Sequence, residues 1–381
     1  MQFYLNATFL LLFVGSTVCA QQTKPSPLPP KTEDAADEVL RIDTELVSVP
    51  AIVTDKNGKP IVKLGAKNFV VFEDDKPQQI ENFQTTDAPF EIALLLDTSG
   101  STRSELNLIT RAANAFIKAL RPGDKVAIIA FKSEKVDGRR EAAVDVLSDL
   151  TDDRTKLVDA LGRAQTSNGT PLYEALETIT AKIFPIKASA AERGRRAIVA
   201  LTDGVDSTSM IEFADAREQI TAANLACYFV QLNTEDSIEN RVLGDCDDAT
   251  ALRFSQTQLR RYQKMLKARP GTQKPPQEDF CDLGQFERLS ISRSLYKMAR
   301  FEMESLAKTT GGRTFPVAEL SEARAAFSQV AEEIGTQYSL GYYSNNPKRD
   351  NTFRRIRVEL RGLPAGAQIK TREGYATKKV M

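Results

Sequence analysis

Residues 90–101 read FEIALLLDTSGS: an apolar run broken only by Glu91 that stops abruptly at Asp97-Thr98-Ser99-Gly100-Ser101. Continuous apolar character over this length, with no alternation, marks a strand covered on both faces. Its sharp change to small polar residues marks the loop that leaves the strand. In an open α/β sheet such a loop is where ligands gather.

The same rhythm repeats downstream. Short apolar runs at 126–131, 143–147, 197–201 and 226–231 alternate with helical stretches at 106–120, 172–183 and 211–223. In the first of these, Leu106, Ile109, Ala113, Phe116, Ile117 and Leu120 share one helix face, and Pro122-Gly123-Asp124 stops it. Strands alternating with helices predict an α/β fold with a doubly wound, mainly parallel sheet, here spanning residues 90–336. Residues 233–292 break the rhythm with charge, Gln and Pro, and read as an insertion carrying one basic helix at 256–267. Beyond it come a helix through 303–308, a Gly311-Gly312 break, Thr314-Phe315 and a last helix at 321–334.

The flanks have a different character. Residues 41–89 form a β module: an apolar β-branched run at 46–53, an Asn57-Gly58 turn, and a second hairpin from 69–72 and 80–83 around a turn at 74–77. These strands are too few for a stable unit. The C-terminal segment 337–381 offers strands at 338–343, 353–360 and 368–371, expected to complete a small antiparallel sandwich.

The N-terminus reads as an export signal over residues 1–20. Its apolar run at 7–18 is too short to span a bilayer, and Val18-Cys19-Ala20 suits cleavage before Gln21. The signal is off-pattern in lacking Lys or Arg at its start, and Val18 poorly suits lipidation at Cys19. A Pro-rich linker follows at 21–40, so the mature chain is expected to be exported, with no transmembrane segment. Outside the cytoplasm disulfides persist, and Cys246 and Cys281, which bracket a polar stretch within the insertion, are the expected pair; Cys227 reads as a buried thiol.

Composition removes whole classes of function. Lys plus Arg and Asp plus Glu balance at 51 each, which argues against nucleic acid as a partner. The chain has no histidine, which excludes the usual hydrolase triads and imidazole-ligated metals. What remains is oxygen chemistry. Asp97, Ser99 and Ser101 follow one strand, Thr170 lies in Ser167-Asn168-Gly169-Thr170-Pro171 before a helix, and Asp203 directly follows the strand at 197–201. All three loops are expected at one sheet edge, presenting two carboxylates and three hydroxyls. That donor set suits a divalent cation, Mg²⁺ first, with Mn²⁺ or Ca²⁺ as alternatives. Each piece alone also reads as turn or N-cap chemistry. Asp206, Ser207 and Thr208 read as a solvated cap, with contacts behind the ligand residues as the alternative, and Arg260, Arg261, Lys264 and Lys267 as a solvated helix face, with contact to a partner or anionic lipid as the alternative. Tyr342 and Tyr343 read as strand packing.

DTSGS, the Thr of NGTPLYEAL and the Asp of ALTDGVDS together resemble the metal-ion-dependent adhesion site of the von Willebrand factor A domain, and SLAKTTGGRTF at 305–315 resembles its last helix and strand. The flanking VPAIVTDKNGKPI, FVVFEDDKPQQI and YSLGYYSNNPKRDNTFRRIRVEL are similar to a secreted bacterial group of related proteins named from Acidobacteria. The resemblance implies a metal-dependent binding or adhesion protein, not an enzyme, that engages a protein ligand through a cation held by Asp97, Ser99, Ser101, Thr170 and Asp203. Two other functions stay open at this point: a metal-dependent hydrolase, and a structural envelope component with a vestigial site.

Overall fold

The computed structural model describes residues 46–100, 106–137, 139–185, 195–244, 253–267, 282–348, 350 and 352–377. The export signal, the Pro-rich linker, Ser101, Cys246 and Cys281 lie outside them.

The run that ends at Asp97 is β5 (Phe90–Leu96), at the middle of a six-stranded sheet. The sheet also holds β6 (Lys125–Val136), β7 (Arg139–Thr151), β8 (Arg195–Thr202), β9 (Ala226–Leu232) and β10 (Arg313–Val317), in the order β10-β9-β8-β5-β6-β7. Every neighbouring pair is parallel except β6 and β7. The strand read at 143–147 is therefore one part of a long antiparallel edge strand. Val136 pairs Arg139, so the chain reverses at Asp137 (φ 49°), with no room for the crossover that a parallel strand requires.

Both faces of the sheet are apolar, because both are covered. Ile92, Leu94 and Leu96 pack with α1 (Leu106–Ala119), α2 (Arg154–Gly162) and α8 (Ala323–Gly335) on one side. Ala93 and Leu95 face α3 (Leu172–Thr178), α4 (Phe213–Ala222) and α7 (Gln285–Thr310) on the other. Cys227 is a free, buried thiol in this second layer, and burial pushes its pKa up to about 12.

Helix α2 has a signature the periodicity missed: Asp153 caps it, accepting from the amides of Thr155 and Lys156. The described parts of the stretch at 233–292 contribute to an apolar cluster separate from the sheet's two layers. Ile238 and Val242 of α5 (Glu235–Val242), Leu259 and Tyr262 of α6 (Gln256–Lys267), and Ile291, Leu295 and Tyr296 of α7 pack together there. Helix α7 is thus much longer than the segment expected around 303–308. One buried stripe runs its length, through Ile291, Leu295, Ala299, Met303 and Leu306; the first half of it serves this cluster and the second half serves the sheet.

The flanking strands build a sandwich from both ends of the described chain. One sheet runs β13-β1-β11-β4 and the other β14-β12-β2-β3, from β1 (Leu46–Thr54), β2 (Phe69–Glu73), β3 (Lys76–Gln78), β4 (Asn82–Gln84), β11 (Tyr338–Tyr343), β12 (Phe353–Leu360), β13 (Gln368–Thr371) and β14 (Gly374–Ala376). Alternate residues Val47, Val49, Ala51 and Val53 of β1, with Leu340 and Tyr342 beside them on β11, pack with Val71, Ile356 and Val358 of the other sheet in the filling. The second hairpin differs from its expected form. Strand β2 turns back at Asp74 and Asp75, both at positive φ, into β3, whereas β4 crosses to the other sheet and pairs β11. Tyr342 is fully buried and donates to Glu73, which also receives Arg354; Tyr343 is partly exposed. Arg195 joins the sandwich link to the α/β layer, donating to the carbonyls of Thr85, Thr86 and Ala88 on one side and Ile334 on the other.

Candidate metal centre

Strands β5 and β8 are parallel neighbours with Leu96 level with Leu201, so Asp97 and Asp203 leave the sheet side by side. The Asp97 amide extends the ladder by one bond, to the Leu201 carbonyl at 2.9 Å. Thr98 then fastens the loop sideways: its hydroxyl donates to the Phe131 carbonyl at 2.8 Å and accepts from the Phe131 amide at 3.0 Å. The Ser167 amide donates to the Thr98 carbonyl at 2.8 Å, which brings the glycine loop that carries Thr170 to the same edge. Thr170 is tied in turn to the third loop. Its amide donates to the Ser207 hydroxyl at 2.8 Å, and its carbonyl accepts the Ser207 amide at 3.0 Å. Four of the five expected ligands, Asp97, Ser99, Thr170 and Asp203, thus lie on three interlocked loops at the carboxyl edge of the sheet.

Both carboxylates are held out of water, Asp97 at 1% and Asp203 at 6% exposure. Asp97 Oδ1 accepts the Ser99 amide at 3.0 Å, and Oδ2 accepts the Thr202 hydroxyl at 2.7 Å. Asp203 Oδ1 accepts the Val205 amide at 2.9 Å, and Oδ2 accepts the Thr234 hydroxyl at 2.6 Å. That hydroxyl has a single proton, so Tyr296, 2.7 Å away, donates to Thr234.

Burial raises the pKa of Asp97 against the opposing pull of its Ser99 and Thr202 donors. Burial and the charge of Asp97 push Asp203 up to about 7. Two desolvated carboxylates that repel one another are stabilised together by a bound cation. The surrounding donors are hydroxyls, which fit the same hard ion. Among the described residues no group of three or more His, Cys, Asp or Glu is placed to hold a metal. What this edge offers is two carboxylates with hydroxyls beside them. The residues present fit a divalent cation.

Two expectations about neighbouring residues fail. Asp206 is not a solvated cap: it is 4% exposed and accepts the Tyr173 amide that opens α3. Arg261 is not on a solvated face: it is 5% exposed and donates to Asp206 at 2.5 Å. Their pairing spans 55 positions and left no local trace in the sequence. Arg260 and Lys264 of the same helix are exposed as expected. Thr202 and Thr234 were also missed as site residues. The rule that ligands lie beyond the carboxyl ends of strands points to both, since Thr202 ends β8 and Thr234 follows β9.

Residues 92–205 match the family model described as von Willebrand factor type A domain. No curated protein matches the chain. Among solved structures, the conserved hypothetical protein BatB from Bacteroides thetaiotaomicron is 16% identical with a TM-score of 0.38, covering 64% of this chain and 98% of its own. An aerotolerance-related membrane protein from Bacteroides fragilis NCTC 9343 is 17% identical with a TM-score of 0.36, covering 64% and 99%. A von Willebrand factor type A protein from Catenulispora acidiphila is 12% identical with a TM-score of 0.38, covering 88% and 74%. The sheet order, the three interlocked loops and the family match lead to one conclusion: this chain contains a von Willebrand factor type A domain.

Proposed function

We propose that this protein is a metal-ion-dependent binding protein that acts outside the cytoplasm. The observation that carries the reading is the buried Asp97–Asp203 pair, ringed by hydroxyl and amide donors on three loops of a von Willebrand factor type A domain, a family that points to protein interaction. Asp97, Ser99, Ser101, Thr170 and Asp203 would hold the cation, with Mg²⁺ the first choice and Mn²⁺ or Ca²⁺ as substitutes. When bound, the ion supplies a positive charge with an open coordination position that suits an acidic group on a protein partner.

The chain's own residues fix the two carboxylates that would hold the ion. Each oxygen of Asp97 and of Asp203 already accepts a bond from the protein, which holds the carboxylates in place. Thr234 and Tyr296 form a dry wall behind Asp203. No histidine is present to act as general base, and the hydroxyls near the ion serve it as ligands, so the arrangement favours binding over hydrolysis. The apolar run at 7–18 supports export, to a periplasm, a cell surface or the medium, and among the described residues no helix is long and apolar enough to cross a membrane. The flanking motifs further support membership of the secreted bacterial group.

Calorimetry with Mg²⁺ and Mn²⁺ on the full chain and on Asp97→Ala tests the site. Heat of binding is expected for the wild type alone. Equal binding by both proteins sinks the assignment. Recovery of partners from envelope extract, expected with Mg²⁺ and lost with chelator, tests the function.

A further inference from the structure

The inserted helix α6 lies against the metal loops rather than apart from them. Arg261 donates to Asp206 Oδ1 at 2.5 Å and to the carbonyls of Ser209 and Ile211 at 3.1 Å each, with its guanidinium 4.5 Å from the Tyr173 ring centre. Asp206 is the pivot of this contact. Its Oδ2 accepts the Tyr173 amide at 3.1 Å and the Ser209 hydroxyl at 2.5 Å, while Oδ1 also accepts the Ser209 amide at 3.1 Å. Tyr173 opens the helix that follows Thr170, and Asp206 lies three residues beyond Asp203, so this one carboxylate ties together two of the three ligand loops. A second tether comes from the start of α6, where the Ser255 hydroxyl donates to the Ser207 carbonyl at 2.5 Å. The helix itself is anchored elsewhere: Leu259 and Tyr262 are buried with Ile238 and Ile291, and Val205 of the metal loop packs on the same cluster.

We propose that α6 is a built-in latch on the metal centre, with Arg261 as the positioning residue that sets the spacing of the Thr170 and Asp203 loops through Asp206. This rests on reading the site as a cation site. A buried carboxylate with its arginine removed is strongly unfavourable, so Asp206 keeps its place only while α6 is docked. The two loops then hold their ligands at fixed separation before any ion arrives. Partners one step removed from the ligands commonly change metal affinity ten- to a hundredfold when lost. By reciprocity, whatever displaces α6 weakens the ion, and the ion holds α6 down.

The test uses the full chain with Arg261→Gln, Arg261→Lys and Ser255→Ala. Mn²⁺ affinity is measured by electron paramagnetic resonance, and hydrogen exchange is followed by mass spectrometry in peptides covering 167–175 and 203–212, with 90–96 as the internal control. For Arg261→Gln, exchange should accelerate in both loop peptides with the control unchanged, and Mn²⁺ affinity should fall roughly tenfold. Arg261→Lys keeps the charge but not the fork, and should lie between Gln and wild type. Ser255→Ala buries no unpaired charge, so it decides the matter if Arg261→Gln does not fold; faster exchange in 203–212 alone supports the latch. Wild-type exchange in the loops overturns it, as does a Lys variant no better than Gln. If the wild type takes up no Mn²⁺, the cation reading falls, and the exchange rates still decide whether α6 holds the loops.

Discussion

Asp97 and Asp203 hold two neighbouring carboxylates almost wholly out of water, an unfavourable arrangement unless the proposed cation sits between them. A cation that binds only the folded chain offsets their burial. At a hundredfold excess over Kd it adds about 2.7 kcal/mol, or roughly 5 °C in Tm for a domain of this size. Thermal scans should therefore show Mg²⁺ raising Tm by that amount in the wild type, a chelator reversing it, and Asp97→Ala showing no shift. Thr234 serves the same site from behind. Thr234→Val deprives Asp203 Oδ2 of its donor and leaves the buried Tyr296 hydroxyl without an acceptor, at an expected cost of about 2 kcal/mol in urea denaturation. An unchanged midpoint would show that the Asp203 carboxylate and the Tyr296 hydroxyl find water instead. That Asp97, Ser99, Thr170 and Asp203 come to one sheet edge was legible in the sequence, because each lies in a loop that follows a strand or precedes a helix. The roles of Tyr296, Asp206 and Arg261 were not, because each comes from a partner far along the chain.

Elements show the same division. The central strands were legible from composition alone, since a strand with both faces covered must be apolar throughout. The partner of β7 was not, because an edge strand half open to solvent carries a mixed pattern that suits either direction. The joints are held by single residues. Gly312, between α7 and β10, sits so close to β9 that a Cβ there would fall on the Cys227 carbonyl. Gly312→Ala should therefore cost about 3 kcal/mol, or prevent folding, by forcing β10 off its neighbour. A variant with wild-type Tm would mean the joint has slack. Arg195 is the second joint, its guanidinium 4.1 Å from the Phe90 ring centre and its donors spent on four carbonyls. Arg195→Met leaves those carbonyls without their charged donor, and denaturant unfolding should register a loss of about 3 kcal/mol.

At the scale of the whole molecule, the sandwich takes its strands from both sides of the α/β domain in the chain. β1 pairs β11 and β13, while β2 pairs β12, so each sheet joins strands from the two ends of the described chain. A chain ended after residue 336 strips β1 of both partners and bares Val47, Val49 and Val53, and size-exclusion chromatography should find it aggregated. A monomeric, folded product would refute the interdependence. Period and turn chemistry in the sequence by itself determined the central strands β5, β6, β8 and β9, the helices α1, α3 and α4, where the sheet's carboxyl edge lies, and that oxygen-bearing side chains gather there. These are properties of neighbours along the chain, set by side-chain alternation and by local backbone geometry. Only the tertiary structure decided that the inserted helix presses on the metal loops and that Arg261 is buried against Asp206. A long-range ion pair depends on where distant segments meet, and no local pattern of charge records that meeting.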